Sequence, residues 1–376
     1  MFFQKIIEKS IEVKRKKEIN NSPHPFDKCE LFRIFARANG QKLETMRKFF
    51  LLIAMLCFAG GMRAERINII FETDMGNDVD DALALDMLYK YNRQGRINLM
   101  AVMLNKEGEF PPKYIDLLNT WYGQKRIPIG LSPRTGKSIV GGANYTQIVC
   151  EMKDEKGKPL YKRSIKDYGK LLPAVRLYRK LLAKAEDASV TIVSVGFSTN
   201  LALLLDTKAD EYSPLTGKEL IARKVKQLVV MAGHIENPKY AEYNVVNDIA
   251  SCQHVFNDWP TPIYMSPFEL GYQIRYPARS IENDFTWTRH HPIVDAYKVY
   301  LKKIEDRPTW DLTAVLYAID PRQFFNISPA GRIVVTDEGY THYTQDATGK
   351  HFYLFITPEQ ATAILDYFVT RVTARR

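Results

Sequence analysis

The hydrophobic pattern of the chain alternates between short apolar runs and longer segments in which apolar residues recur every three to four positions. Apolar runs of four to eight residues are typical of buried strands, and the longer periodicity is typical of amphipathic helices. Strands are predicted at residues 67–71, 97–104, 189–195, 225–231 and 262–266, with a weaker candidate at 332–336. Helices are predicted at residues 80–92, 111–123, 171–185, 199–206, 248–257, 292–305, 312–319 and 358–373.

This alternation predicts an α/β fold with an open, mostly parallel, Rossmann-like sheet and helices on both of its faces. No repeat, low-complexity tract or linker divides residues 65–376, so we expect these residues to form a single domain. Ligands of such sheets bind at the carboxyl ends of the strands. Polar residues that directly follow a predicted strand are therefore candidates for function.

The first 64 residues differ in composition from the rest of the chain. Residues 46–64 contain Arg47 and Lys48, an apolar run and then small residues, as in a secretory signal peptide. The apolar run is shorter than the ~20 residues that span a bilayer, so no stable membrane span is expected after processing. An uncleaved anchor is the alternative. We expect export to the periplasm or the extracellular space, and we expect residues 1–45 to be a poorly structured extension or a mis-assigned start.

The net charge of +10 does not indicate a nucleic-acid partner once its location is considered. Residues 1–64 hold 13 Lys and Arg against 6 Asp and Glu, which leaves 40 basic and 37 acidic residues beyond them. No basic stripe stands out in that remainder, so nucleic-acid binding is not predicted. Beyond residue 64 the cysteines are Cys150 and Cys252, which we expect to be structural and free.

The acidic stretch after the first strand carries the strongest chemical signal. Asp74, Asp78, Asp80 and Asp81 fall within eight positions, between a predicted strand and a predicted helix. Clustered carboxylates repel one another unless a cation lies among them, and oxygen ligands suit a hard divalent ion such as Ca²⁺ or Mg²⁺. The alternative is that Asp80 and Asp81 only stabilise the start of the helix. One acid would suffice for that, so the stretch favours a metal site.

Three further strand ends carry polar groups. Asn105 follows strand 97–104, where its amide could contact a hydroxylated ligand or simply form part of a turn. After the strand that ends near Val195, Gly196 allows a close approach of neighbouring backbone, and the Val195 carbonyl could bind a metal. Beyond strand 225–231, a cluster of amides and one acid would suit the hydroxyls of a sugar. Its members are Asn237, Glu242, Asn244 and Asn247.

The dipeptide Trp310-Asp311 opens the predicted helix 312–319. Asp311 could be a helix cap and Trp310 a core residue. Alternatively, Asp311 could bind a metal while Trp310 packs against a flat base.

In their order along residues 66–373, these blocks resemble the inosine–uridine preferring nucleoside hydrolase family. The blocks are Asp74-x-Gly76 with Asp80-Asp81-Ala82-Leu83, Asn105, Val195-Gly196 with Thr199-Asn200, Met231-Ala232-Gly233, Glu242-Tyr243-Asn244, and Asp311. The resemblance implies a nucleoside hydrolase fold in residues 65–376 and cleavage of the N-glycosidic bond of ribonucleosides to free base and ribose. It also implies a tightly held Ca²⁺ ion and is compatible with a homodimer or homotetramer.

The resemblance assigns roles to individual residues. The Ca²⁺ ligands would be Asp74, Asp81, Asp311 and the Val195 carbonyl, and Asp74 would take a proton from the attacking water. The ribose 2′- and 3′-hydroxyls would be held by Asp80, Asn105, Asp311 and Asn244. Glu242 and Asn237 would contact the 5′ side of the sugar.

The chain departs from the family pattern at three places. Glu72 stands where an Asp is usual, and Asn77-Asp78 reads as an insertion in which Asp78 could compete as a metal ligand. Trp310 replaces the His that protonates the leaving base in base-nonspecific members and matches the purine-preferring members, so we expect purine nucleosides as substrates. Alternative proton donors are His234, His290 and His291, and candidates for the base pocket are Tyr145, Tyr297 and Tyr300.

Two other functions could use acidic residues after the first strand. A phosphatase of the haloacid dehalogenase type needs a nucleophilic Asp at the position of Glu72, which argues against this function. A non-catalytic nucleoside- or ribose-binding protein that uses the same calcium pocket is the alternative from a different class.

Overall fold

The computed structural model describes residues 66–132 and 144–375. The extension expected at 1–45 and the signal peptide expected at 46–64 lie outside the described residues. Residues Glu65–Arg376 belong to one compact unit, as expected for a single domain. Within the described part of the chain, no helix is both long and apolar enough to cross a membrane.

The described residues form twelve strands, six of which follow predicted strands closely. The strands are β1 (Ile67–Thr73), β2 (Ile97–Leu104), β3 (Ile129–Gly130), β4 (Val190–Ser194), β5 (Val225–Met231), β6 (Ile263–Ser266), β7 (Arg275–Tyr276), β8 (Arg307–Pro308), β9 (Asn326–Ile327), β10 (Gly331–Val335), β11 (Thr341–Gln345) and β12 (His351–Phe355).

The helices alternate with these strands along the chain. They are α1 (Asp80–Arg93), α2 (Phe110–Trp121), α3 (Tyr145–Glu151), α4 (Ala174–Leu182), α5 (Thr199–Leu205), α6 (Gly217–Lys224), α7 (Tyr243–Val246), α8 (Ile249–Asp258), α9 (Phe268–Gln273), α10 (Ala278–Asn283), α11 (Pro292–Tyr300), α12 (Trp310–Ile319), α13 (Pro321–Phe324) and α14 (Pro358–Thr373).

The main sheet has the strand order β11-β10-β12-β6-β5-β4-β1-β2-β3, and β9 pairs with β12. Strands β3, β2, β1, β4, β5, β6 and β12 run parallel, whereas β10 and β11 are antiparallel additions at one edge. The sheet therefore has the mostly parallel architecture expected from the sequence. The chain order reverses between β1 and β4, and in doubly wound sheets the ligand crevice opens at such a reversal.

Both faces of the sheet are covered, which explains the nearly continuous apolar character of the central strands. Ile69 and Phe71 of β1 belong to one hydrophobic cluster, and Ile70 between them belongs to the cluster on the opposite face. This alternation follows from the two-residue repeat of a strand. Every apolar residue of helix α1 belongs to the first cluster, so its start is fixed against the carboxyl edge of the sheet.

Helix α4 is shorter than the predicted 171–185 because it begins after Pro173, whose extended backbone precedes the first helical turn. Helix α11 ends at Tyr300 rather than at residue 305. Strands β11 and β12 were not predicted, and they complete the antiparallel edge with β10.

Candidate active site

A cavity of about 400 Å³ opens at the carboxyl ends of the central strands. Asp74 follows β1 directly and Val195 follows β4 directly, so the cavity lies at the reversal of strand order. Six carboxylates line it, together with four aromatic rings. The lining carboxylates belong to Asp74, Asp78, Asp80, Asp81, Glu242 and Asp311.

The acidic loop between β1 and α1 is fixed by hydrogen bonds from the residues around it. Gly76 has a φ of +107°, a conformation that residues with a side chain rarely adopt. The Thr73 hydroxyl donates a hydrogen bond to the Asp81 carboxylate. Beneath the loop, the buried Tyr145 hydroxyl accepts from the Gly76 N–H and contacts the Asp78 carbonyl oxygen, both at 2.9 Å. These hydrogen bonds fix the backbone that carries the carboxylates.

Carboxylates from two distant helices converge in the cavity. One oxygen from each of Asp80, Asp81 and Asp311 lies within 4.8 Å of the others, and all three side chains are buried. Asp80 and Asp81 begin α1, and Asp311 is the second residue of α12. The positive ends of two helix dipoles therefore point at this group.

These aspartates do not cap their own helix. No side-chain capping bond forms at the start of α1. Instead, Asp80 accepts a hydrogen bond from the Asp311 N–H at 3.1 Å and so satisfies a donor in the first turn of α12. The interpretation of Asp80 and Asp81 as simple caps of α1 does not account for their geometry.

Asp74 lies in the same cavity, but its carboxylate is held by its own loop. The Asn77 side-chain amide donates to Asp74 Oδ2 at 2.5 Å, and the Lys106 ammonium donates to Asn77 Oδ1. Burial raises the pKa of Asp74 to about 6, against the opposing effect of Asn77 and Lys106.

A bound cation would stabilise the ionised forms of the clustered carboxylates. Burial, and then the charges of neighbouring carboxylates, raise the pKa values of Asp80, Asp81 and Asp311 well above the usual range for aspartate. An ion placed among them would reverse this effect by favouring the ionised forms. The donors are all oxygen atoms, which is the ligand set of Ca²⁺ and Mg²⁺.

Gly196 allows the strands to bring Asp74 and Asn105 together. A Cβ atom at Gly196 would lie 2.5 Å from Asn105 Oδ1 and 2.8 Å from both the Cβ and the backbone nitrogen of Asp74. Asn105 Oδ1 is buried and makes no hydrogen bond within the described residues. A buried acceptor without a partner is costly, so this oxygen is a candidate contact for a ligand.

Glu72 supports this region from behind. It is fully buried and accepts hydrogen bonds from the Tyr178 hydroxyl at 2.7 Å and from the Asn105 amide at 3.4 Å. Burial raises its pKa to about 7. Glu72 does not line the cavity, so it orients Asn105 rather than contacting a ligand itself.

Glu242 and Asn244 connect the loop after β5 to the cavity. The Glu242 carboxylate accepts from the N–H groups of Gly233 and Asn244, both at 3.0 Å, and from that of Val245 at 3.3 Å. Burial raises the pKa of Glu242 to about 7. The Asn244 amide donates to the Val195 carbonyl oxygen at 3.2 Å. That oxygen retains a second lone pair, so the contact leaves room for the expected metal bond.

The structure does not bring Asn237 into the cavity. Its side chain is exposed, and its N–H donates to His234 Nδ1 at 3.0 Å. The Glu269 carboxylate accepts the N–H groups of Ile235 and Glu236, which draws this loop outward. The expected contact of Asn237 with the 5′ side of a sugar is not supported by this placement.

The base-pocket candidates separate into two groups. Tyr300 lines the cavity, whereas Tyr145 and Tyr297 are buried behind it. None of the three candidate histidines lines the cavity. His234 and His290 lie outside the lining, and His291 is buried and caps α11 through Nδ1.

An ion pair that the sequence did not predict forms one wall of the cavity. Arg307 donates to the Asp78 carboxylate through Nε at 3.2 Å and through Nη2. Its guanidinium carbon lies 5.3 Å from the Tyr300 ring centroid and 5.5 Å from that of Trp310. Asp78 is therefore engaged by Arg307 rather than competing within the carboxylate cluster. No local signal connects two residues 229 positions apart.

Comparison with known proteins relates this geometry to a family. A model of the family described as inosine-uridine preferring nucleoside hydrolase matches residues 69–357. The chain belongs to that family. Membership confirms the resemblance and makes the protein a hydrolase that acts on N-glycosyl compounds. No curated protein matches the sequence of this nucleoside hydrolase at a significant level.

Solved structures show the same fold. The plant nucleoside hydrolase PpNRh1 has a TM-score of 0.61 at 19% identity, over 83% of this chain and 100% of that chain. A purine-preferring ribonucleoside hydrolase from Gardnerella vaginalis has a TM-score of 0.62 at 17% identity, with coverages of 81% and 98%. An inosine-uridine preferring nucleoside hydrolase from Bacillus anthracis has a TM-score of 0.57 at 16% identity, with coverages of 81% and 98%.

Proposed function

We propose that this nucleoside hydrolase cleaves purine ribonucleosides to free base and ribose, with Ca²⁺ held by Asp74, Asp81, Asp311 and the Val195 carbonyl. The observation that carries the proposal is the convergence of buried aspartates from α1 and α12 on one point of a sugar-sized cavity. A bound Ca²⁺ would lower the pKa of an adjacent water and neutralise part of the carboxylate charge.

Asp74 is the group best placed to take the proton of the attacking water. It lies in the cavity directly after β1, and as a ligand of the ion it would also lie next to the water that the ion binds. Asn77 fixes the orientation of the Asp74 carboxylate. Water attack then forms the new bond at the C1′ carbon of the ribose while the proton passes to Asp74.

The other polar groups act on the ribose. Asp80, Asn105 and Asn244 would hold its hydroxyls, and the unpaired Asn105 Oδ1 has capacity for such a bond. As the bond from C1′ to the base breaks, positive charge develops on the sugar, and the surrounding carboxylates stabilise it. Contacts to the hydroxyls can also be used to distort the ring toward the transition state.

The preference for purines rests on Trp310. Its indole N–H donates to the Phe268 carbonyl oxygen at 3.0 Å, which fixes the ring at the cavity wall. Stacking of a base on an aromatic ring contributes about 1–3 kcal/mol, and a purine offers the larger surface. No histidine among the described residues lines this cavity, so base departure relies on stacking and on hydrogen bonding.

A substrate panel tests this proposal. Release of reducing sugar is measured for inosine, guanosine, adenosine, uridine and cytidine, with Ca²⁺ and with a chelator. We expect purine nucleosides to react fastest and the chelator to abolish turnover. Faster cleavage of uridine than of inosine would contradict the purine preference, and full activity in the chelator would contradict the metal.

We further propose that residues 46–64 direct export to the periplasm or the extracellular space. The support is their composition, with two cations before an apolar run. N-terminal sequencing of the protein from cell fractions would then show a start close to residue 65. A cytoplasmic protein that retains these residues would contradict export. Assembly as a homodimer or homotetramer stays a prediction, which light scattering measures.

A further inference from the structure

Arg307 is the one cationic side chain among the described residues that line the cavity. It belongs to β8, three residues before Trp310, in the segment that leads into α12. Its place beside Trp310 and Tyr300 has a chemical consequence, because the reaction separates charge between the sugar and the base.

The charges in the cavity are unevenly distributed. Asp80, Asp81 and Asp311 form one group at the start of α1 and α12. The guanidinium lies instead between the rings of Trp310 and Tyr300, at 5.5 Å and 5.3 Å from their centroids. A base that packs against Trp310 therefore lies within reach of Arg307, whereas the sugar faces the carboxylates.

The guanidinium has donor capacity for such a base. An arginine carries five N–H donors and no acceptor. The guanidinium donates hydrogen bonds through Nε and Nη2, to the Asp78 carboxylate and the Tyr300 hydroxyl. Nη1 takes part in none of these bonds. The side chain is also partly exposed, at 22% of its surface, so a ligand in the cavity can approach it.

We propose that Arg307 is a catalytic residue that donates hydrogen bonds to the departing base and stabilises the negative charge developing on it. This inference rests on the proposed function. It assigns to Arg307 the assistance to the leaving base that an acid gives in other members of the family. Carboxylates would stabilise the sugar at one end of the breaking bond, and the guanidinium would stabilise the base at the other.

In the cleavage step, the bond between C1′ and the base nitrogen breaks, and its electron pair stays on the base. The water oxygen forms a bond to C1′, and one water proton passes to Asp74. Arginine keeps its proton at all ordinary pH values, so Arg307 stabilises the base anion without protonating it. The base takes its proton from solvent water once it is released.

Asp78 provides a matched control. Its carboxylate accepts two hydrogen bonds from the guanidinium, and the two residues form one ion pair. If Arg307 mattered only by anchoring the acidic loop through this pair, loss of either partner would have the same effect. If Arg307 acts on the base, removing Asp78 leaves the acting group in place.

The test compares two substrates that differ in their need for leaving-group assistance. Inosine has a poor leaving group, whereas p-nitrophenyl β-D-ribofuranoside releases a phenolate that is stable as an anion. We expect Arg307→Gln to lower kcat for inosine about 10²–10³-fold, the usual effect of losing one electrostatic donor. The loss for the p-nitrophenyl substrate should stay below about tenfold, and Asp78→Asn should lose less than about tenfold on both.

Equal losses on both substrates in Arg307→Gln, or the same pattern of losses in Asp78→Asn, would overturn the role of Arg307 while leaving the proposed function intact. A wild-type enzyme inactive on both substrates would overturn the proposed function and this inference with it. Turnover of the p-nitrophenyl substrate also reports folding. Should the Gln variant fail to fold, Arg307→Lys carries the same comparison, with a smaller loss expected on inosine alone.

Discussion

The backbone N–H of Asp311 donates a hydrogen bond of 3.1 Å to the carboxylate of Asp80, although the two residues are 231 positions apart. This bond joins the first turns of α1 and α12 and closes one side of the cavity. It also places Asp311 on the same edge of the sheet as the acidic loop. The proposed metal site depends on that placement.

Asp74→Asn should leave a folded protein whose kcat falls by about 10²–10⁴-fold, because the substitution removes a proton acceptor and a proposed metal ligand. Release of reducing sugar from inosine measures the rate. Asp366→Asn, on an exposed position of α14, is the matched control and should react like the wild type. A rate near that of the wild type in Asp74→Asn would refute its role.

Ca²⁺ should stabilise the fold, because an ion that binds only the folded state shifts the unfolding equilibrium. At a concentration of 100 times Kd the gain is about 2.7 kcal/mol, and it should appear as a rise in Tm over the chelated protein. Mg²⁺ should stabilise less, since it prefers a smaller and more regular oxygen site. In Asp81→Asn the rise should largely disappear. An identical Tm with Ca²⁺ and with chelator would argue against the site.

Gly196→Ala should impair activity more than stability. The added methyl would collide with the backbone nitrogen and Cβ of Asp74 at 2.8 Å and with Asn105 Oδ1 at 2.5 Å, so both groups must shift. Overpacking of this kind costs about 1–3 kcal/mol of unfolding free energy. We expect weaker Ca²⁺ binding and a large loss of kcat. Gly169→Ala is the control, because Gly169 is exposed, has no positive φ, and a Cβ there would meet only the flexible Asp167 side chain, at 3.2 Å.

Trp310→Ala should reduce kcat/KM for inosine more than for uridine, because a purine loses more stacking surface than a pyrimidine. The expected difference follows from the ~1–3 kcal/mol of one base–aromatic stack. Trp310→Phe keeps an aromatic ring and should recover part of the loss on inosine. Equal losses on the two substrates would remove the stacking explanation.

His351 should make the fold less stable in acid. Burial lowers its pKa to about 4, and its Nδ1 accepts the Ile333 N–H at 2.9 Å. The unfolded state, with a pKa of about 6.5, therefore binds more protons than the folded state between pH 6.5 and pH 4, so stability falls as pH falls through that window. The slope from this one group is no steeper than about 1.4 kcal/mol per pH unit.

His351→Asn keeps an acceptor near the same place and cannot titrate. Urea unfolding at a series of pH values should show a shallower loss of stability in the variant than in the wild type between pH 6.5 and pH 4.5. Parallel curves would show that His351 does not contribute.

The fold and the centre of the site could be predicted because their signals are local. The apolar run of β1, the acidic turn and the periodic α1 adjoin one another in the chain, so Asp74, Asp80 and Asp81 are placed by their own neighbourhood. Parallel strands then bring Asn105 and Val195 to the same edge. Strands β11 and β12 escaped prediction because they are short and half-exposed and depend on pairing within the sheet.

The sequence by itself determined the order of strands and helices and the residues at the carboxyl edge, since hydrophobic period and turn chemistry act over a few residues. Only the tertiary structure decided which distant side chains meet. In the tertiary structure Asp78 forms an ion pair with Arg307, and Asp80 accepts a hydrogen bond from the Asp311 N–H. Asn237 lies outside the cavity. Such pairings depend on the packing of elements hundreds of residues apart, and no period or motif in the chain encodes that packing locally.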